Sequence, residues 1–167
     1  MKKSVTLIED DYEHAIPYIL STMGGCFGLI YIDPNGVVNM DALEQTSKHR
    51  CNGVIDILFN YNATAYKRNR CVNDLDELLP MFKKIKKNYW YVSEPKGKWQ
   101  WSLFYGANKQ CIKLPKSLGF HEVHTSQGQR ILHTLNYTKE EYKLHLPNQP
   151  KISDFINENN AKPFSCR

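Results

Sequence analysis

The sequence predicts an α/β domain in which parallel strands, joined by helices, lead into an antiparallel hairpin. Two apolar runs, 27–32 and 54–59, flank a segment with helical spacing, and this alternation favours parallel strands joined by right-handed crossovers. An aromatic stretch at 88–105 is broken by a Pro-Lys-Gly turn, which is typical of a two-stranded hairpin. With 167 residues, 41% of them hydrophobic and 23% charged, the chain is long enough for one packed core.

The first elements are expected to be a strand, a turn and a helix. Residues 5–8 are β-branched or apolar and predict a short strand, which the acidic turn 9–11 ends. Apolar residues recur at helical spacing between Tyr12 and Met23 and predict a helix there. The Gly-Gly pair at 24–25 then ends the helix.

The run 27–32 predicts the central strand of the sheet. It is continuously apolar, as strands covered on both faces are, and an Asp-Pro-Asn-Gly turn at 33–36 stops it. A short helix over 40–48 is expected to lead to the second strand at 54–59. A polar loop at 60–62 and a helix over 63–70 should follow.

The remaining chain predicts two short helices, the hairpin and a helical appendage. Pro80 is expected to divide the apolar segment 75–85 into two helices, and the hairpin should end the sheet. Further helices are predicted to begin near Ser126, Thr138 and Ser153. We therefore expect an α/β domain over 1–118 and a small C-terminal helical appendage over 119–167.

Composition indicates a cytoplasmic protein without metal or disulfide chemistry. The N-terminus lacks the unbroken apolar run of a signal peptide, and the most apolar stretch is far shorter than the roughly 20 residues that cross a bilayer. The five cysteines are scattered without a Cys-x-x-Cys pair. His121 and His124 lack a third ligand, so no metal site is predicted, and Cys51 beside His49 is expected to be structural.

The turn at the end of the first apolar run is the first candidate site. In an open parallel sheet, ligands bind beyond the carboxyl ends of the strands, which is where Asp33, Pro34 and Asn35 are expected. Pro34 restricts Asp33 to extended geometry and Gly36 permits a sharp reversal. Such a tip can accept hydrogen bonds from an amino group. The alternative is that these residues are ordinary turn formers.

Short motifs along most of the chain carry a resemblance to a known family. They are the run 27–36, Ile55-Asp56-Ile57-Leu58, the segment 63–68, Trp99-Gln100-Trp101, Gly106 with Asn108, Gly119-Phe120-His121, and the segment 126–138. With these motifs the sequence resembles the three-Cys-motif partner family of methyltransferase-like proteins, which is found in phage and mobile-element settings. The resemblance implies a Rossmann-type sheet and S-adenosylmethionine as cofactor, with a C-terminal part that is often winged-helix-like.

The same resemblance assigns roles to the candidate residues. Asp33 would accept an N–H of a target amine and Pro34 would offer its carbonyl, so that the nitrogen lone pair faces the sulfonium methyl group. Asn35 belongs to the same motif. Asp10, after the first predicted strand, would contact the adenine of the cofactor.

The sequence departs from the family pattern in one respect. The fold needs an earlier strand with a glycine-rich loop and a second strand ending in an acid, and neither precedes residue 5. The expectation is a partial, Rossmann-type methyltransferase-like domain, inactive or dependent on another chain. The alternative is a non-enzymatic, phage-type binding or inhibitory module derived from that fold. Both hypotheses predict an exposed strand edge. Because such an edge must be covered, we expect a homo-oligomer or a hetero-complex.

Basic and aromatic residues suggest nucleic acid as a partner. The net charge is +5, which favours an anionic partner. Lys67, Arg68 and Arg70 follow the second predicted strand and are candidates for phosphate contacts. Trp101 is a candidate for stacking on a base, with core packing as the alternative. The lysines at 83–87 predict the solvated face of a helix.

Overall fold

The computed structural model describes residues 5–22, 24, 27–73, 84–96, 101–110 and 117–136. These residues form a mixed α/β fold with a five-stranded sheet and four α-helices. The strands are β1 (Gly28–Ile32), β2 (Ile55–Asn62), β3 (Tyr89–Ser93), β4 (Trp101–Ala107) and β5 (Phe120–Glu122). The helices are α1 (Tyr12–Thr22), α2 (Met40–Lys48), α3 (Ala63–Asn73) and α4 (Ser126–Asn136).

The sheet combines one parallel pair with an antiparallel portion. Its strand order is β1-β2-β4-β3-β5, with β1 parallel to β2 and every other neighbouring pair antiparallel. Because β2 and β3 both run antiparallel to β4, they run in the same direction as each other. The predicted α/β class, with parallel strands followed by an antiparallel hairpin, is therefore confirmed.

One face of the sheet, here called the helix-side face, carries the core. In β2, the residues at odd positions from 55 to 61 are buried, and those at even positions from 56 to 62 are partly exposed. Phe59 is fully buried, and its ring stacks on that of Phe104 with centroids 5.2 Å apart. Burying such a ring contributes about 1.5–3 kcal/mol to stability. The period of two thus fixes which side of β2 faces the core.

The described helices all pack on the helix-side face. Apolar residues of the four helices join one core cluster with Ile57, Phe59 and Phe104, and these helical residues are Ile16, Leu20, Met40, Leu43, Ala63, Tyr66, Ile131, Leu132 and Leu135. The opposite side, here called the second face, carries the even-numbered side chains of β2. None of the helices in the described part of the chain covers it.

Polar side chains and one glycine hold the helices in place. Asn39 caps α2 by accepting hydrogen bonds from the N–H groups of Asp41 and Ala42. The Asn39 N–H in turn donates to the Tyr12 hydroxyl at 2.7 Å, which places the start of α1 near the carboxyl end of β1. At the other end of the sheet, a Cβ on Gly128 of α4 would collide with the carbonyl oxygen of Glu122.

Two predictions about the first strands are wrong. The run 27–32 is not a central strand covered on both faces, because β1 lies at the sheet edge and its Leu29 and Tyr31 are 57% and 56% exposed. Residues 5–8 form no strand, and Val5 and Leu7 are 88% and 94% exposed. β-propensity acts through packing against neighbouring strands, and none of the five described strands lies beside this segment.

Two further predictions about the sheet need correction. The expected loop at 60–62 is the end of β2, where Asn60 pairs with Leu103 and Asn62 with Trp101. The sheet also continues past the hairpin, because β5 pairs with β3 on the side away from β4. The polar side chains of residues 60 and 62 lie on the partly exposed second face, so they are compatible with a strand.

The contacts of the chain define two units, 1–136 and 137–167. Residues 119–136 thus belong with the sheet, because β5 extends it and α4 enters its core. The helices predicted near Thr138 and Ser153, and most of the segment 75–85, lie outside the described residues. Among the described helices, none combines the length and apolarity that a membrane span requires.

Candidate functional site

The candidate site lies where the two parallel strands end. β1 and β2 are in register from Gly28 with Ile55 to Ile32 with Phe59, so the residues after Ile32 and Phe59 meet at one edge of the sheet. There the amide nitrogen Nδ2 of Asn60 donates to the carboxylate oxygen Oδ1 of Asp33 at 2.9 Å. This hydrogen bond holds the Asp-Pro-Asn-Gly loop to the carboxyl end of β2.

The loop presents its polar groups to solvent. Asp33 and Asn35 are exposed and Pro34 is half-buried. A carboxylate can accept several hydrogen bonds, so Asp33 keeps acceptor capacity beyond its bond to Asn60. Gly36 has no positive φ, and nothing lies within 4 Å of a Cβ built on it. The chain does bend at Asn35 and Gly36, so the expected reversal is present, but it does not use a backbone conformation that only glycine adopts.

Half-exposed aromatic and polar side chains continue the site along the second face. Strand alternation places Tyr31, two residues before Asp33, on this face, and the register places Leu58 beside Tyr31 and Leu103 beside Asn60. Trp101 pairs with Asn62 and is half-buried. An apolar and aromatic strip thus leads to the Asp33–Asn60 pair, and it could receive the flat side of a base.

Asn62 has a separate, local task. Its Oδ1 accepts a hydrogen bond from the Ala65 N–H at 3.0 Å, as a residue at the start of a helix does. The two asparagines of β2 therefore differ, since Asn60 joins the loop and Asn62 stabilises α3. This difference supplies a matched pair of variants for testing the site.

The predicted nucleic-acid-binding residues are placed differently from one another. Lys67 is half-buried, and its Nζ donates to the backbone oxygen of Thr134 at 3.1 Å, so it links α3 to α4. Arg68 is exposed on α3. The side chain of Arg70 lies outside the described residues. The side chain of Trp101 lies on the second face. Among the predicted nucleic-acid-binding residues, Trp101 is the one that lies in the sheet close to Asn60, because it pairs with Asn62.

Asp10, the predicted cofactor contact, makes local interactions. Its Oδ1 accepts a hydrogen bond from the Asp11 N–H at 2.8 Å and lies 3.3 Å from Nδ1 of His14. It is exposed, and the strand that it was expected to follow is not formed. Its described partners are all within four residues of it in sequence.

A groove of about 380 Å³ runs along the edge of β1 that no described strand covers, which is called the free edge of β1 below. Here called the α1–β1 groove, it is lined by Tyr12, Ala15, Ile16, Ile19 and Leu20 of α1, by β1 from Gly28 to Ile32, and by Ile55. This volume falls within the range of about 300–1,000 Å³ that is usual for ligand sites. No residue in the lining carries a charge, so the groove is suited to apolar side chains.

Sequence reasoning missed a buried lysine at the opposite end of β2. Lys87 was predicted to lie on a solvated helix face with its neighbours, which is wrong. Its Nζ donates to the backbone oxygens of Asn52 and Ile55 at 2.9 and 2.6 Å, and to Oδ1 of Asn52 at 2.6 Å. Burial lowers the pKa of Lys87 to about 8, against an opposing effect of Asp56. Lys84 and Lys86 are exposed as expected.

Metal and thiol chemistry find no support in the described residues. No group of three or more histidine, cysteine or acidic side chains is placed to hold a metal ion in that part of the chain. Cys51 is buried in the core, and its N–H donates to Nδ1 of His49 at 3.2 Å. That contact involves the backbone rather than the thiol.

Comparison with known proteins adds no relative. No family model, no curated protein and no solved structure matches this chain. The structural features that bear on function are the Asp33–Asn60 pair, the second face and the free edge of β1.

Proposed function

We propose that this chain is the target-binding part of a methyltransferase-like domain that acts on nucleic acid. It would hold an amine-bearing base against Asp33, with the aromatic strip of the second face beside it. The observation that carries this proposal is the hydrogen bond between Asn60 and Asp33 at the carboxyl ends of two parallel strands, the position at which open α/β sheets bind ligands. The resemblance to the three-Cys-motif partner family supports the same position.

The chemistry of the loop suits an amine. Asp33 is exposed and accepts hydrogen bonds, and the carbonyl of Pro34 is a second acceptor beside it. Adenine, cytosine and guanine carry exocyclic amino groups that donate hydrogen bonds, whereas thymine carries none. A pair of acceptors held rigidly at a strand end would therefore select amine-bearing bases.

The strand order supports the proposal, because it is compatible with one half of a doubly wound sheet. In such sheets, with strand order 3-2-1-4-5-6, the fourth strand lies beside the first. Because crossovers are right-handed, strands added in one direction place their helices on one face. If β1 and β2 correspond to strands four and five of this order, the absence of the first three strands would leave β1 at a free edge. It would also leave the helices on one face, as the four described helices are.

The described residues do not fit S-adenosylmethionine. The α1–β1 groove has no charged group for the methionine portion of the cofactor, and Asp10 makes only local contacts among the described residues. No described strand ends in a glycine-rich loop that opens a helix. The cofactor site of the proposed enzyme would therefore come from strands supplied along β1 by another chain.

Binding of single-stranded oligonucleotides tests the proposal. We expect oligomers of adenine to bind at least tenfold more tightly than oligomers of thymine, with this preference lost in Asp33→Asn. Asp41→Asn, which changes an exposed carboxylate on α2, is the control and should keep the preference. Equal binding of the two oligomers, or a preference that survives Asp33→Asn, would contradict the proposal.

A second candidate function is a non-enzymatic binding module. The uncharged α1–β1 groove at a free strand edge favours it, because such an edge is a template for another chain. The two candidates differ in the role of Asp33, whose carboxylate matters for the first and not for a module that binds through β1. The oligonucleotide experiment therefore separates them.

A further inference from the structure

We infer that residues 5–8 of one copy of this chain pair with the free edge of β1 in a second copy. These residues, here called the exchange segment, would run antiparallel to β1. Their apolar side chains at Val5 and Leu7 would enter the α1–β1 groove of the partner. The reciprocal pairing, of residues 5–8 of the second copy with β1 of the first, would close a symmetric dimer.

Two features of the described residues are complementary. The exchange segment is not part of any described helix or strand, and its Val5 and Leu7 are 88% and 94% exposed. Among the described strands, β1 is the last at its side of the sheet, and the groove along it is apolar. An added strand with apolar residues at every second position would cover both the edge of β1 and the apolar groove.

The length of the connection argues against antiparallel pairing within one chain. Tyr12 is fixed near the carboxyl end of β1 by its hydrogen bond with Asn39. Residue 8 lies four positions before Tyr12, a distance of at most about 14 Å when fully extended. Antiparallel pairing would place residue 8 at the amino end of β1, about 13 Å away along a five-residue strand, so residues 8–12 would have to be almost fully extended. The chain instead bends at Asp10, whose Oδ1 accepts a hydrogen bond from the Asp11 N–H, and a second copy can pair without straightening this bend.

Charge complementarity selects the antiparallel direction. Glu9, Asp10 and Asp11 follow the exchange segment directly. In a parallel arrangement they would lie beside Asp33 of the copy whose β1 they pair with, which carries the same charge. In the antiparallel arrangement they would lie at the amino end of β1, where the ammonium of Lys109 sits 5.8 Å from the ring centroid of Phe27. Opposite charges then meet at that end.

This dimer does not rest on the proposed function. It covers the same edge of β1 along which cofactor-binding strands would lie, so a chain that supplies those strands would compete with the exchange segment. The Asp33–Asn60 pair lies beyond the end of β1 and is a separate site. Loss of the dimer and loss of base binding are therefore independent outcomes.

Sedimentation equilibrium tests the inference on the full chain. We expect a dimer for the native chain and at least a tenfold higher dissociation constant for Leu7→Asp. Leu118→Asp changes an apolar residue that is 62% exposed and lies far from α1 and β1 in sequence, so it should remain as dimeric as the native chain. A monomeric native chain, or a Leu7→Asp variant that dimerises normally, would overturn the inference.

Mixing two defective variants tests the pairing itself. Ile19→Asp places a charge in the groove lining and leaves the exchange segment intact, whereas Leu7→Asp does the reverse. Each alone should be largely monomeric, and their mixture should form a heterodimer with one intact segment–edge pair. A mixture that stays monomeric would contradict exchange between copies. Protected amides at 5–8 in a monomer would instead show pairing within one chain, and would also overturn the inference.

Discussion

The side-chain amide of Asn60 donates a hydrogen bond to the carboxylate of Asp33 at 2.9 Å, across the carboxyl ends of β2 and β1. Neither residue is buried, so the bond adds little to stability but sets where the carboxylate lies. An exposed acceptor fixed in this way at the end of a parallel pair is suited to positioning a ligand. The predictions that follow separate this role from purely structural ones.

Replacing Asn60 by Ala should weaken base binding while leaving the fold intact. The hydrogen bond is partly exposed, so we expect the free energy of unfolding to fall by no more than about 1 kcal/mol. Affinity for adenine oligomers should fall several-fold, because the Asp33 carboxylate is no longer held. Denaturant unfolding and fluorescence anisotropy measure the two effects.

Asn62→Ala is the matched control for that variant. Asn62 accepts a hydrogen bond from the Ala65 N–H at the start of α3, and loss of such a cap costs about 0.5–2 kcal/mol. Its preference for adenine over thymine oligomers should be unchanged. If Asn62→Ala lost the preference and Asn60→Ala kept it, the assignment of Asn60 would be wrong.

Lys87→Met should destabilise the protein by roughly 1–3 kcal/mol, the usual cost of leaving a buried acceptor unpaired. The lysine ammonium donates to the backbone oxygens of Asn52 and Ile55. Methionine offers no donor, and because the Asn52 oxygen also accepts from Nδ2 of Asn108, the loss falls mainly on the Ile55 oxygen. Lys86→Met, at the exposed neighbouring position, should be close to neutral. Equal stability of the two variants in urea would show that the buried contacts contribute little.

The stability that depends on Lys87 should rise at alkaline pH. Its pKa is about 8 in the folded protein and 10.5 as its ordinary value, so the unfolded chain binds more protons between these two pH values. The free energy of unfolding contributed by this group therefore increases from about pH 8 to about pH 10.5. Below pH 8 the lysine is protonated in both states and the contribution is constant.

Comparison with Lys87→Met isolates this effect. Both proteins contain Tyr12, whose pKa is raised mainly by burial, so its titration cancels in the difference. Urea unfolding at pH 7.5 and 9.5 should show the native chain gaining stability relative to the variant. A difference that is the same at the two pH values would contradict the lowered pKa.

Gly128→Ala should loosen the packing of α4 against β5. A Cβ at this position meets the backbone of Glu122 and Val123, and such overpacking costs about 1–3 kcal/mol. Gly53→Ala adds the same atom where nothing lies within 4 Å, and it should change stability much less. Thermal unfolding of both variants makes the comparison, and equal melting temperatures would argue against the close approach.

The sequence was most informative where local signals agree. α2 spans the predicted residues 40–48, because a capping asparagine, helix formers and an apolar stripe all point to the same helix. The position of Asp33 at a strand end was also predicted from the apolar run before it and the proline after it. The hairpin followed from its aromatic residues and its turn.

The errors arose where long-range contacts decide the structure. Residues 5–8 have strand propensity but pair with none of the strands that the structure describes, so propensity alone gave the wrong answer. The polarity of Asn60 predicts a loop, and only its pairing with Leu103 on β4 shows that it belongs to a strand. Lys87 belongs to a run of lysines, and only its contacts with Asn52 and Ile55 distinguish it from its solvated neighbours. Ile85 and Trp90, on either side of Lys87, are buried. This burial also distinguishes Lys87 from its neighbours, but only the structure shows it.

The most direct test of the proposed site is a nuclear magnetic resonance titration of the isotopically labelled chain with adenine and thymine oligomers. We expect the adenine oligomer to shift the Asn60 side-chain amide and the backbone amides of Asp33 and Asn35, with much smaller shifts from the thymine oligomer. Unchanged Asn60 and Asp33 resonances in the presence of bound adenine oligomer would contradict the account, since binding would then occur elsewhere on the chain.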